Sequence, residues 1–168
     1  MKTAIYPGSF DPVTLGHLDI IKRSAAIFDK LIIAVLANPR KKTMFTAEER
    51  VELIKLAAEG IPNIEVARSD RLLVDFAAER GSFIIVKGLR AVSDFEHEFQ
   101  MALTNHKMDN RLDTLFLTTN YEYLYLSSSV VKEIGILGGD VSAFLPQSVI
   151  EKVAQRFKEW GAHDGGRD

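Results

Sequence analysis

Thr3-Ala4-Ile5-Tyr6-Pro7-Gly8-Ser9-Phe10-Asp11-Pro12-Val13-Thr14-Leu15-Gly16-His17 passes from a short apolar run, through a loop punctuated by Pro7, Gly8 and Pro12, into a segment of helical period. That segment carries Leu18, Ile21, Ala25 and Phe28, the three- and four-residue spacing of a helix with one buried face. The same unit recurs along the chain. Residues 3–6, 31–37, 64–67, 83–86 and 114–118 read as strands, the first four each followed by a helical pattern and the fifth followed by one after a longer loop. Several of these runs are apolar throughout rather than alternating, which suits strands covered on both faces. The pattern predicts an α/β fold: a doubly wound, five-stranded parallel sheet with crossover helices on both faces.

Helix starts support this register. Thr46 with Glu49 and Ser93 with Glu96 fit the capping box, in which each side chain satisfies the other residue's orphaned backbone N–H. Val51, Ile54 and Ala58 form the stripe of the second helix. Pro146 suits the first turn of a last helix ending near Trp160, because a proline there loses no helical hydrogen bond. Residues 161–168 have nothing to bury and read as a frayed tail. With no repeat or linker, residues 1–160 are expected to form one domain.

The chain has 168 residues, 46% hydrophobic and 26% charged, enough to bury a core without staples. It has no cysteine, which excludes disulfides, a thiolate nucleophile and Cys-ligated metals. With 21 Lys plus Arg against 23 Asp plus Glu, the formal charge is −2, so a basic sheath for nucleic acid is not expected. The N-terminus lacks a basic region followed by an apolar stretch and cleavage site, and no apolar run approaches the roughly 18 residues of a membrane span. A cytoplasmic location follows as the expectation.

In an open parallel sheet, ligands gather beyond the carboxyl ends of the strands, where strand order reverses. The loop of residues 6–17 is therefore the most informative. Gly8 lets backbone N–H groups approach a ligand, Ser9 adds a hydroxyl, and Gly16 and His17 fall in a first helical turn whose N–H groups and dipole favour an anion. Taken alone, a histidine in that position is most often solvated or capping. Neither G-x-G-x-x-G after the strand nor G-x-x-x-x-G-K-[ST] anywhere occurs, which disfavours dinucleotide dehydrogenases and P-loop kinases. The residues by themselves reach a phosphate-binding α/β domain.

Gly8-Ser9-Phe10-Asp11-Pro12 with Thr14-Leu15-Gly16-His17 resembles the signature of the nucleotidylyltransferase superfamily, in its T-x-G-H form. Three later segments narrow the resemblance to the bacterial phosphopantetheine adenylyltransferases: Lys41-Lys42-Thr43-Met44-Phe45-Thr46, Lys87-Gly88-Leu89-Arg90-Ala91-Val92-Ser93-Asp94-Phe95-Glu96 and Leu126-Ser127-Ser128-Ser129. The likeness spans about residues 2–157, with four motifs in order, each at the end of a strand or loop. It implies a Rossmann-like sheet and the reversible transfer of the adenylyl group of ATP to 4′-phosphopantetheine. The products are dephospho-coenzyme A and pyrophosphate, in the penultimate step of coenzyme A synthesis.

The resemblance also implies residue roles. His17 would be catalytic, donating to the α-phosphate, with Ser9 and the Phe10 backbone completing that wall. Asp11 stays open between a ligand contact and a turn residue bonding its own loop. Lys87 would meet the acceptor phosphate, and Lys41 that phosphate or the transferring group. Lys87 stands where many family members carry Arg, a point charge replacing a fork. Lys42 reads as surface, and Met44-Phe45 as a hydrophobic staple. Gly88, Leu89 and Arg90 would bind ATP, with Arg90 on the β or γ phosphate. Glu98 would contact the nucleotide, although an exposed helix carboxylate fits equally. Asn105 would bind the pantetheine amides, with Leu73 and Leu103 lining the channel or serving as core. Tyr123, Leu124, Tyr125, Leu126, Ser127, Ser128 and Ser129 would form the remaining ATP contacts, Tyr123 near the adenine and the serines at a helix N-terminus.

No carboxylate cluster has metal spacing, so Mg2+ is expected to arrive with ATP. The resemblance further implies a homohexamer and coenzyme A as feedback inhibitor. Two rivals remain on sequence: another acceptor, such as nicotinamide mononucleotide or glycerol phosphate, and a non-catalytic nucleotide sensor.

Overall fold

The computed structural model describes residues 1–36 and 42–164. Five strands, β1 Thr3–Gly8, β2 Lys30–Leu36, β3 Ile64–Ser69, β4 Ile84–Leu89 and β5 Asp113–Thr118, form one sheet in the order β3-β2-β1-β4-β5. Every neighbouring pair is parallel. The helices are α1 Leu15–Ile27, α2 Ala47–Ala57, α3 Leu73–Arg80, α4 Val92–Met108, α5 Ser128–Ile136 and α6 Ile150–Asp164. This is the Rossmann-like doubly wound architecture expected from the alternation of runs.

The uninterrupted apolar runs have the predicted cause. Along β2, Leu31, Ile33 and Val35 face one core with residues of α1, α2, α5 and α6, while Ile32 and Ala34 face a second with Val74, Phe76 and Ala77 of α3. Each fully buried side chain of this size contributes roughly 1.5–3 kcal/mol. In α1, Leu18, Ile21 and Phe28 are buried and Ala25 is half-buried; in α2, Ile54 and Ala58 are buried and Val51 half-buried. α5 crosses α6 closely enough that a Cβ on Gly135 would lie 2.3 Å from the Phe157 ring.

Three local expectations are corrected. Ser93 does not start α4: the helix begins at Val92 with Ala91 as N-cap and no side-chain capping bond, since Asp94 turns back to Arg90 instead. Pro146 precedes a 3-10 turn, Gln147–Val149, rather than sitting in α6 itself. α6 then continues through Asp164, four residues beyond the expected end, because Gly161 weakens a helix without prohibiting it. The Thr46–Glu49 capping box is present.

Strand order reverses at β1: β2 and β3 lie on one side, β4 and β5 on the other. In open parallel sheets such a switch point, here between β1 and β4, is where the loops diverge and leave a crevice at the carboxyl edge.

Candidate active site

β1 leads into a tight loop. The Asp11–Pro12 peptide is cis, and Phe10 takes a positive φ of 49°, a conformation uncommon for a residue with a side chain. Packing holds it there: the Phe10 ring is 1% exposed, edge-on to Tyr6 at 5.3 Å and to His17 at 5.1 Å. A Cβ on Gly8 would come within 2.8 Å of that ring. Gly8 thus makes room for the Phe10 ring.

Thr14 caps α1 and forms a reciprocal box with His17. The Thr14 N–H donates to His17 Nδ1 at 3.1 Å, with Thr14 Oγ1 also at 3.1 Å from Nδ1. A nitrogen that accepts carries a lone pair, so the neutral ring bears its proton on Nε2. Burial and then the charge of Arg90 pull the His17 pKa down to about 4. Burial, with Glu98 adding to it, pushes the Tyr6 phenol up. The site thus presents a neutral donor imidazole at the positive end of a helix.

The β4 loop faces it. Gly88 and Leu89 continue the strand, paired with Leu117 and Thr118 of β5. Arg90 does not present an open fork: Nε and Nη2 donate to Asp94 at 3.0 and 3.2 Å, and Nη1 to the Leu126 carbonyl at 3.0 Å. It ties the β4 loop to the segment before α5. Lys87 and Glu98, read as belonging to different substrates, form an ion pair at 2.9 Å.

At α5, Ser127 is the N-cap, accepting from the Val130 N–H. Ser128 donates to the Pro12 carbonyl at 2.8 Å, which docks the helix start on the His17 loop. The Ser128 hydroxyl proton is therefore used inside the protein, whereas Ser127, which only accepts, keeps its own O–H to donate. Ser129 is exposed, and the first N–H groups of α5 keep the anion-binding character of a helix start. Tyr123 packs near Gly16, its Cβ 3.5 Å from where a Gly16 Cβ would stand. Leu124 and Tyr125 are exposed, at 45% and 66%, and Leu126 is buried.

A family model described as cytidylyltransferase-like matches residues 5–134. The chain belongs to this cytidylyltransferase-like family. Within it, a phosphopantetheine adenylyltransferase of Lachnoclostridium phytofermentans is 55% identical, over 94% of this chain and 96% of its own. That of Caldanaerobacter subterraneus subsp. tengcongensis is also 55% identical, covering 95% and 99%, and that of Heliobacterium modesticaldum 51%, covering 94% of each. A solved structure from Vibrio parahaemolyticus, described as a nicotinate-nucleotide adenylyltransferase, superposes with a TM-score of 0.71 at 18% identity, covering 95% and 97%; it shows the shared fold. The chain is a nucleotidyltransferase of the phosphopantetheine adenylyltransferase group.

Lys41 lies outside the described residues. Leu73 opens α3 and packs against the second core. Leu103 is 57% exposed, so it is not core, whereas Asn105 is half-buried on α4. Lys42 is on the surface, as expected, 5.5 Å from the centre of the Trp160 ring. Met44 and Phe45 are buried, but the staple partner is absent: α2 places Arg50 where an apolar residue would be required.

Sequence reasoning missed the frame behind the site. Among the described residues Asp11 bonds outside its own loop, not within it. Its carboxylate accepts from Met44 N–H at 3.1 Å and Phe45 N–H at 2.9 Å, and pairs with Lys132 of α5 at 2.6 Å. Arg50 is 5% exposed and donates to the Ser9 carbonyl at 2.8 Å and the Thr46 carbonyl at 3.2 Å. Arg156 of α6 donates to the Met44 carbonyl at 3.1 Å and pairs with Glu49. Among the described residues no group of three or more His, Asp or Glu is arranged to hold a metal, and no helix is long and apolar enough to cross a membrane.

Proposed function

We propose that this chain joins 4′-phosphopantetheine to the adenylyl group of ATP within one nucleotidylyltransferase domain, residues 1–160. A phosphate monoester oxygen of the acceptor attacks the α-phosphorus in line, and the bond from that phosphorus to the bridging oxygen breaks. Dephospho-coenzyme A forms and pyrophosphate leaves with the electron pair, with no covalent enzyme intermediate. The observation that carries this reading is His17: neutral, proton on Nε2, at the N-terminus of α1 beside the strand-order reversal. Such a donor stabilises charge building on the α-phosphate oxygens in the transition state.

Ser9 and the Phe10 backbone complete that wall in this reading. Gly88, Leu89, Arg90, Glu98 and the stretch from Tyr123 to Ser129 receive ATP. Lys41, Lys87, Leu73, Asn105 and Ser9 receive the acceptor. The Lys87–Glu98 pair supports an exchange in which the acceptor phosphate displaces the carboxylate from the ammonium. Mg2+ would come with ATP, held by phosphate oxygens and water, because the described carboxylates offer it no cage. Coenzyme A, sharing the pantetheine arm, would act as feedback inhibitor, and the enzyme would work in the cytoplasm as a homohexamer.

The test is pyrophosphate release from Mg-ATP with 4′-phosphopantetheine, beside nicotinamide mononucleotide and glycerol phosphate, for wild type and His17→Ala. Release with phosphopantetheine alone, falling about 10²–10³-fold in kcat in the variant, is expected, the usual cost of losing one transition-state donor. Release only with another acceptor refutes the acceptor assignment. No release from a folded, ATP-binding protein refutes catalysis.

A further inference from the structure

We infer that Arg50, a buried cation of α2, is a positioning residue that sets the direction of the Phe10 N–H toward the phosphate site. The inference rests on the phosphate-binding reading of the β1–α1 loop. Arg50 Nη1 donates to the Ser9 carbonyl at 2.8 Å, and its Nε is anchored on the Thr46 carbonyl at 3.2 Å. The Ser9–Phe10 peptide is trans, the only cis bond among the described residues being Asp11–Pro12. In a trans peptide the C=O and the following N–H point in opposite directions within one plane. Holding the Ser9 carbonyl on α2 therefore turns the Phe10 N–H away from α2.

Two further observations fit. Among the described residues no acceptor meets the Phe10 N–H, although Phe10 is 1% exposed, and a buried N–H without a partner is costly unless something else supplies one. The positive φ of Phe10 means that this peptide plane is not where the chain would settle by itself. Arg50 supplies the fixed point. A guanidinium suits this task because two of its nitrogens reach two carbonyls at once, which an ammonium on a flexible stem does not reproduce. The nearby carboxylate of Asp11 supplies the opposite charge that a buried cation requires.

The experiment compares Arg50→Lys and Arg50→Met with wild type and with Thr46→Ala. The last removes the cap of the same helix and leaves Arg50 in place. Steady-state kinetics gives kcat and the KM for phosphopantetheine; 15N-labelled protein gives the Phe10 amide shift on adding Mg-ATP. We expect both Arg50 variants to lose about 10²-fold in kcat, the scale of a misplaced or lost donor. Their KM for phosphopantetheine should move less than about threefold, and Phe10 should not show the downfield shift that Mg-ATP induces in wild type. Thr46→Ala should keep both the shift and most of kcat. Retained kcat in both Arg50 variants, a persisting Phe10 shift, equal loss in Thr46→Ala, or failure of both variants to fold would each overturn the inference. Should wild type release no pyrophosphate with phosphopantetheine, the functional reading fails on its own, and the Phe10 response to Mg-ATP still decides the role of Arg50.

Discussion

His17 combines a capping role with its proposed chemical one, and the combination has a measurable cost. Its Nδ1 satisfies the N-cap N–H of α1, while burial and then the charge of Arg90 hold the ring neutral with a pKa of about 4, against 6.5 for a free histidine. In the unfolded chain the same ring takes up a proton below about pH 6.5. The native state, binding fewer protons, therefore loses stability relative to the unfolded state as pH falls from 6.5 toward 4, and the loss stops growing below the folded pKa. Between pH 7 and pH 5 this amounts to about 2 kcal/mol, before most carboxylates titrate. Urea unfolding at the two pH values should show that slope in wild type and a reduction of about that size in His17→Gln. An unchanged slope in the variant would mean that His17 takes up its proton at the same pH in the folded and the unfolded chain.

At the scale of elements, the site is fixed by polar ties between segments far apart in sequence. Asp11 accepts from backbone N–H groups 33 and 34 residues away and pairs with Lys132, 121 residues away. Asp11→Ala leaves both N–H groups and a half-buried ammonium without partners, and should cost about 3–5 kcal/mol in urea unfolding. Lys132→Met should cost less, because Met44 and Phe45 still hold the carboxylate; equal losses would place the anchor in the ion pair alone. None of these ties was legible from the sequence. Asp11 sits in a turn motif, where bonding to its own loop is the local rule, and no local rule names a partner 33 residues on. Arg50 was not singled out from the sequence. The signal that could have found it is its spacing: it stands four residues before Ile54, on the buried face of α2. The strands, by contrast, were readable because burial on both faces leaves unbroken apolar runs, and the T-x-G-H motif was readable because the helix start and its histidine are contiguous.

At the scale of the whole molecule, α4 and β5 carry an apolar surface that the described fold does not cover. α4 spans 17 residues, yet Val92, Phe99, Leu103 and Met108 on it are 78%, 45%, 57% and 54% exposed, and Leu115 on the edge strand β5 is 43% exposed. The sequence concealed this. An apolar stripe on a helix has the same spacing whether it faces a core or another chain. An edge strand with apolar flanks exposed to water is a liability that folded proteins cover, and stable interfaces cover about 800 Å² on each partner. A second copy of the chain meeting the first along α4 and β5 would cover both at once, which accords with the proposed homohexamer. Sedimentation equilibrium should then give the mass of six 18.8-kDa chains. Phe99→Glu places a charge on that surface, where it costs an isolated chain little but is costly once desolvated against a neighbour. It should lower the mass toward that of one chain while far-UV circular dichroism stays unchanged. A wild type that sediments as a single chain would leave α4 without a partner copy and refute the assembly.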